Sequence, residues 1–116
     1  MAAVTYITEK LIAGEIITDQ VALAADTYYK GMILTYDAGN DRYQYDATPA
    51  ATGTVAIYLG DGSGEGRVLA SAGYDSVIIG GEVFESGIVT DANAAFTVTE
   101  DIRAACNAVG IYIKRK

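Results

Sequence analysis

Short apolar runs separated by glycines constrain the fold of this chain more than any other feature. In the segment DSVIIGGEVFESGIV, residues 75–89, an apolar run ends at Gly80 and Gly81, and the run that follows is interrupted at Gly87. Glycine adopts backbone conformations that other residues resist, and it disfavours a helix. We therefore predict a strand, a bend at the paired glycines and a second strand, with no helix in this segment.

A β-hairpin is predicted from the segment GMILTYDAGNDRYQYD. Met32–Tyr36 would form one strand and Arg42–Asp46 the return strand. The residues between them, 37–41, include the glycine, asparagine and aspartate that tight turns favour. Tyr43 and Tyr45 should share one face of the return strand, because side chains alternate along a strand. Shorter strands are predicted elsewhere, at 54–59, 68–69 and 111–113.

One helix is predicted near the C-terminus. Thr97 and Glu100 have the S/T-x-x-E spacing of a capping box. Apolar residues then recur with the spacing of a single helical face: Ile102, Ala105, Cys106 and Val109. Gly110 stands where a helix C-terminus is expected. Helix 100–109 should therefore dock on the sheet through this face, with Cys106 packed in the core.

The N-terminal segment, residues 1–17, has a less regular pattern. AVTYITEKLIAGEII contains β-branched and aromatic residues in a short, irregular alternation that Gly14 breaks. This local pattern fits both a first strand of the body and an extended arm. At 116 residues the chain is most simply one domain. We predict a mainly β fold: a small compact β body with short strands and glycine turns, one short C-terminal helix and an extended N-terminal arm.

The composition disfavours catalysis and metal binding. There is no histidine, which removes the usual general base and the commonest zinc ligand. The single cysteine, Cys106, excludes an internal disulfide and every multi-cysteine zinc site. A net charge of -7 would repel polyphosphate, and the basic tip at 114–116 is too short to offset it. The sequence thus predicts that the protein is not an enzyme, has no cofactor or metal, and makes no direct contact with nucleic acid.

No membrane segment is predicted. No apolar run approaches the roughly 18 residues that are needed to span a bilayer. The N-terminus also lacks a basic region ahead of a long apolar stretch, so no signal peptide is visible. We expect synthesis in a cytoplasm, without export through a secretion signal.

The loop GDGSGEGRV partly matches a calcium-binding loop. Asp61, Ser63 and Glu65 stand at positions 1, 3 and 5 of the template. Position 12 should supply a bidentate glutamate but is Ala72, and no helices are expected on either side. A mobile glycine loop explains this composition better than a calcium site.

Three carboxylates could be imagined as the acid pair of a glycoside hydrolase: Asp75, Glu82 and Glu85. Such an enzyme needs a substrate cleft with aromatic platforms, whereas this chain is small and has no tryptophan. We interpret these carboxylates as solvated charges at strand edges, where they discourage pairing with a wrong chain.

The order of these segments resembles a known family. YYKGMILTYD, NDRYQYDAT and GTVAIYL look like its glycine-led strand, hairpin and following strand. SVIIGGEVFESGI looks like the strand and corner that come next, and DIRAACNAVGIYIKR looks like the closing helix and strand. Over residues 21–116, the chain is similar to the head decoration proteins of tailed bacteriophages, of the lambda decoration protein D type.

The resemblance implies a structural role on a virion. Members of that family are not enzymes; they bind as homotrimers to the outer surface of the expanded capsid, at three-fold and quasi-three-fold sites. There they clamp neighbouring subunits of the major capsid protein against the pressure of packaged DNA. The expected partners are therefore further copies of this chain, as a homotrimer, and the major capsid protein, with no membrane involved.

The chain is divided into a capsid-contacting arm, residues 1–17, and a single β-rich decoration domain, residues 18–116, because the N-terminal segment is strand-prone, is broken at Gly14 and lies outside the family-like body. Residues 2–13 are strand-prone, whereas family members often have a proline- or glycine-rich segment here. We expect the arm to add to a capsid-subunit strand through six residues: Val4, Thr5, Tyr6, Ile7, Leu11 and Ile12. The alternative function is a virion-surface carbohydrate-binding or host-attachment module that uses the nine tyrosines.

Overall fold

The computed structural model describes residues 11–49, 54–61 and 66–115. Within these ranges the strands are β1 (Ile12–Leu23), β2 (Asp26–Tyr28), β3 (Ile33–Asp37), β4 (Arg42–Tyr45), β5 (Val55–Tyr58), β6 (Arg67–Leu69), β7 (Gly73–Phe84) and β8 (Ile111–Lys114). One α-helix, α1 (Glu100–Ala108), lies near the C-terminus, and Glu85–Gly87 form a single 3-10 turn. The predicted mainly β class, with one short C-terminal helix, is confirmed.

The described strands form one large sheet and one small one. The six-stranded sheet has the order β1-β4-β3-β5-β7-β8, and β1 pairs with β7 as well. The pairings of β1, β4, β3, β5 and β7 thus close a ring, and β8 extends from the last residues of β7. β2 and β6 form a separate antiparallel pair.

β7 is a single strand of 12 residues, so the predicted bend between two strands is wrong. β1 runs antiparallel to it and pairs with both of its halves. The two glycines are accommodated between two register shifts, one between Ile12 and Ile16 and one between Ile17 and Thr18. Gly81 has a φ of +110°, and a Cβ there would lie 2.2 Å from the Glu15 carbonyl oxygen. Glycine is therefore required at this position because β1 approaches so closely.

The predicted hairpin is confirmed as β3 and β4, with Tyr36 opposite Tyr43. In the connecting turn, the Asp37 carboxylate accepts a hydrogen bond of 2.7 Å from the side-chain amide of Asn40. Tyr43 and Tyr45 share a face as predicted, since both pack against the same group of buried residues.

The predicted helix is confirmed, but its N-terminal cap is not the predicted one. Thr99, rather than Thr97, is the N-cap residue, and its hydroxyl accepts a hydrogen bond of 3.3 Å from the Ile102 N–H. Glu100 is thus the first helical residue and cannot complete a capping box. At the other end Gly110 has a φ of +85°, as expected of a glycine that terminates a helix.

Buried residues form two clusters on opposite faces of β5, which is buried along its whole length. Ile57 packs in the first cluster with Ile78 and with the apolar face of α1. Its neighbour Ala56 points the other way and packs with Val77 in the second cluster. The centre of the sheet is therefore covered on both sides, so a partner can reach only its periphery.

Candidate interaction surfaces

The described part of the chain contains no group of three or more histidine, cysteine, aspartate or glutamate side chains that could hold a metal ion. Two of the calcium-loop residues, Ser63 and Glu65, lie outside the described residues. Cys106 is fully buried on the inner face of α1, and burial raises the pKa of its thiol to about 11. Its predicted place in the core is confirmed.

Asp75 is a buried ion-pair partner, so its interpretation as a solvated charge is wrong. Its side chain accepts hydrogen bonds from the Tyr58 hydroxyl at 2.6 Å, from Arg67 Nη1 at 2.6 Å and from the Ser76 N–H at 2.7 Å. Burial would raise the pKa of Asp75, but these donors outweigh it and hold the pKa below its usual value. A cavity of about 650 Å³ lies alongside, yet the polar groups named here already bond to one another.

Glu82 and Glu85 lie at half-exposed positions near the end of β7, and each is paired with a cation. Glu82 Oε1 lies 2.7 Å from Lys114 Nζ on β8. Glu85 accepts a hydrogen bond from Arg103 on α1, and the same guanidinium donates to the Ile113 carbonyl oxygen at 2.5 Å. These carboxylates tie β7 to β8 and α1, which gives them a structural role.

The structure moves the boundary of the predicted N-terminal arm. Four of the predicted contact residues lie outside the described residues: Val4, Thr5, Tyr6 and Ile7. Leu11 is only 2% exposed in the first core cluster, and Ile12 begins β1. Residues 11–17 therefore belong to the body, because β7 and the core already supply their partners within one chain. The rest of the predicted arm, residues 1–10, lies outside the described residues.

The outer edge of β1 is the longest open strand edge among the described residues. On one side β1 pairs with β7; on the other it meets β4 only where Leu23 pairs with Tyr43. Between Ile16 and Ala22 no described strand covers this edge. Ile17 stands beside it with 62% of its surface exposed. Unpaired edges of this kind are ready templates for a strand of another chain.

A second surface, which we call the tyrosine cleft, is lined by residues of four strands and one turn: Tyr36, Tyr43, Tyr74, Gln20, Asp41 and Arg42. The rings of Tyr36 and Tyr43 lie 5.4 Å apart and are tilted by 58°. The Tyr36 hydroxyl donates a hydrogen bond of 2.5 Å to Asp41 Oδ1, which raises the pKa of Tyr36. Tyr74 closes the other side and is 70% exposed.

Neither surface was identified from the sequence. Which edge of β1 is open depends on which strand pairs with it. That strand is β7, some sixty residues away in the chain. The tyrosine cleft is assembled from strands that are distant in sequence. The only signal in the sequence was the abundance of tyrosine, nine residues in 116.

Comparison with known proteins gives no family for this chain. No family model matches it, and no curated protein is significantly similar to it. No helix within the described ranges is long and apolar enough to cross a bilayer. The functional argument therefore depends on the residues and surfaces described above.

Proposed function

We propose that the protein is a bacteriophage capsid decoration protein that binds, as a homotrimer, to the outer surface of the expanded capsid at three-fold and quasi-three-fold sites. There it would clamp neighbouring subunits of the major capsid protein. The sequence resemblance suggests this class of function. One structural observation supports it, namely the open outer edge of β1 between Ile16 and Ala22 in the described part of the chain.

An open edge provides a way to bind another protein without any catalytic group. Its N–H and C=O groups can pair with an added strand, and those hydrogen bonds supply affinity. Ile17 adds apolar surface beside the same edge. A capsid-protein strand that pairs here would satisfy the backbone of β1 and cover the Ile17 side chain at the same time.

The body behind this edge suits a clamp because the edge is firmly held. β1 pairs with β7 along its other side, and β7 is held in turn by β5 and β8. The first core cluster packs under these strands and includes the apolar face of α1. A mechanical force that a bound capsid subunit exerts on β1 would therefore be distributed over the whole sheet and the core, and would not fall on a single loop.

The proposal can be tested with Ile17→Asp and a matched control, Val68→Asp. Both side chains are exposed, at 62% and 72%, but Val68 lies on β6 in the small sheet. Each variant is mixed with expanded capsids that lack the decoration protein, and binding is measured by cosedimentation and cryo-electron microscopy. We expect Ile17→Asp to bind roughly tenfold more weakly or worse, because apolar burial is lost and a charge is introduced. Val68→Asp should bind as the wild type does.

Native mass spectrometry of the same samples gives the oligomeric state. A homotrimer that decorates capsids would support the proposal. If Ile17→Asp bound capsids as tightly as Val68→Asp and the wild type, the β1 edge would be excluded as the docking surface. A wild-type protein that stayed monomeric and failed to bind capsids would overturn the proposed function.

A further inference from the structure

The tyrosine cleft opens where β1 and β4 separate. The two strands pair only at Leu23 and Tyr43; before that point β1 follows β7, whereas β4 follows β3. The space between them has a volume of about 280 Å³. Small-molecule sites range from roughly 300 to 1,000 Å³, so this cleft lies just below that range and has room for no more than a single small ring.

Aromatic surface faces this space from both sides. Tyr36 and Tyr43 form the tilted ring pair on the β3–β4 side, and Tyr74 stands on β7 with most of its ring exposed. Tyrosine combines a large apolar face with a polar hydroxyl, so it suits ligands that have both kinds of surface. Ala22 also lines the cleft, and its small side chain leaves room between the rings.

Arg42 supplies a hydrogen-bond donor for which the described residues offer no acceptor. Its Nε is buried and makes no hydrogen bond within the described part of the chain. Arg42 as a whole is half-buried and lines the cleft, so its guanidinium is placed to donate to an acceptor bound there. Gln20 adds an amide to the cleft, and the Tyr36 hydroxyl holds the Asp41 carboxylate in place.

We propose that the tyrosine cleft binds a neutral hexopyranose, presented as the terminal residue of a glycan. A pyranose has C–H faces that can stack on tyrosine rings, and its hydroxyls both donate and accept hydrogen bonds. The guanidinium of Arg42 can donate to a hydroxyl oxygen, whereas the carboxylate of Asp41 can accept from a hydroxyl. This binding function goes beyond capsid decoration. Because Gln20 and Ala22 belong both to the cleft and to the open β1 edge, a glycan in the cleft and a capsid strand on that edge would exclude one another.

Charge distinguishes a neutral sugar from an acidic one. Asp41 lines the cleft, and burial together with the negative charge of Asp19 raises the pKa of Tyr43 in its wall. A sugar carboxylate would therefore meet Asp41 in the cleft and be repelled by Asp19 near Tyr43, against the single guanidinium of Arg42. Neutral hexoses avoid this repulsion.

The test is an NMR titration of the isotope-labelled full chain with the methyl glycosides of glucose, galactose and mannose. At least one glycoside should cause saturable shifts at the backbone amides around Gln20, Arg42 and Tyr74, and glucuronic acid should bind more weakly. Tyr74→Ala should lower the affinity roughly tenfold, because a stacking surface is lost. The matched control is Tyr112→Ala, which removes a 54% exposed tyrosine on β8, outside the cleft.

Thermal unfolding of both variants checks that the body stays folded, as expected for exposed side chains. The proposal is overturned if no glycoside gives saturable shifts, or if Tyr74→Ala binds as tightly as the wild type. If, in addition to the absence of sugar binding, Tyr74→Ala dissociated the oligomer, the cleft would be an interface between copies of the chain.

Discussion

The Asp75 carboxylate shows how pairing changes the effect of a buried charge on stability. Burial opposes ionisation, but Tyr58, Ser76 and Arg67 all stabilise the charged form, and the pKa lies below its usual value. A carboxyl group whose pKa is lowered on folding contributes stability above its unfolded pKa of about 3.9, and this contribution is lost as the pH falls through the folded value. Asp75 should therefore stabilise the fold at neutral pH and cease to do so in acid.

This gives a prediction for Asp75→Asn. At neutral pH the variant should unfold at a lower temperature than the wild type, by the equivalent of about 1–3 kcal/mol, because a charge-assisted pair with Arg67 is lost. As the pH is lowered past about 4, the difference in melting temperature should shrink, since the wild-type carboxyl is then increasingly protonated. Asp91→Asn, at an exposed carboxylate, is the control and should show little difference at any pH. If the difference in melting temperature between the wild type and Asp75→Asn stayed constant down to strong acid, the ionised Asp75 carboxylate would not be the source of the stability.

Single residues were the least predictable part of the molecule. The sequence around Asp75 does not distinguish it from an aspartate that is exposed at a strand edge. Its partner Tyr58 is brought to it only by the pairing of β5 with β7. Its other partner, Arg67, donates to it from β6, and the sequence of the connecting loop does not predict that these two strands bring the side chains together. Cys106 could be placed in the core correctly, because helical spacing alone determines which face it occupies.

At the scale of elements, α1 illustrates how neighbouring threonines compete to cap a helix. Thr97 and Thr99 both precede the apolar stripe, and the S/T-x-x-E spacing favours the first. In the structure the hydroxyl of Thr99 meets the Ile102 N–H instead, and Ile102 is buried in the first core cluster. The helix therefore begins after Thr99, with Ile102 of its first turn packed in the core.

The two threonines provide a matched pair of variants. Thr99→Ala should destabilise the protein by about 1 kcal/mol, the typical cost of losing an N-cap side chain. Thr97→Ala should leave the free energy of unfolding almost unchanged, because this exposed residue does not cap the helix. Chemical denaturation followed by circular dichroism measures both. A larger loss for Thr97→Ala than for Thr99→Ala would place the helix start two residues earlier.

Elements with a local signal were predicted well, and long-range pairing was not. The β3–β4 hairpin has a turn sequence, β5 an apolar run, α1 an apolar stripe with helical spacing and β8 an alternating pattern. The glycines of β7 gave a misleading signal, because paired glycines suit a bend as well as a register shift inside a strand. The positive φ of Gly81 and the close approach of the Glu15 carbonyl show why glycine is needed there. That contact joins two strands far apart in the chain, so no local pattern could reveal it.

At the scale of the whole molecule, residues 1–10 lead directly into a strand whose outer edge is open. The ring of strands and both core clusters, as the structure describes them, consist of residues from position 11 onward. Ordering ten residues on a partner costs on the order of 10–20 kcal/mol of backbone entropy. Burial of Val4, Tyr6 and Ile7 would return roughly 1.5–3 kcal/mol each, and each new backbone hydrogen bond about 1 kcal/mol. These terms nearly cancel, so the segment should bind a capsid appreciably only when the docked body holds it nearby.

Two deletions separate the arm from the body. Removal of residues 1–10 should leave the melting temperature close to that of the full chain, while capsid binding in the cosedimentation assay becomes much weaker. Removal of residues 1–17 should instead destabilise the protein strongly, because it deletes the buried Leu11 and the pairing of Ile16 and Ile17 with β7. If the shorter deletion prevented folding, residues 1–10 would be part of the body. If it folded and still bound capsids as tightly as the full chain, the arm would have no part in docking, and the affinity would have to come from the body, with the open β1 edge as its first candidate.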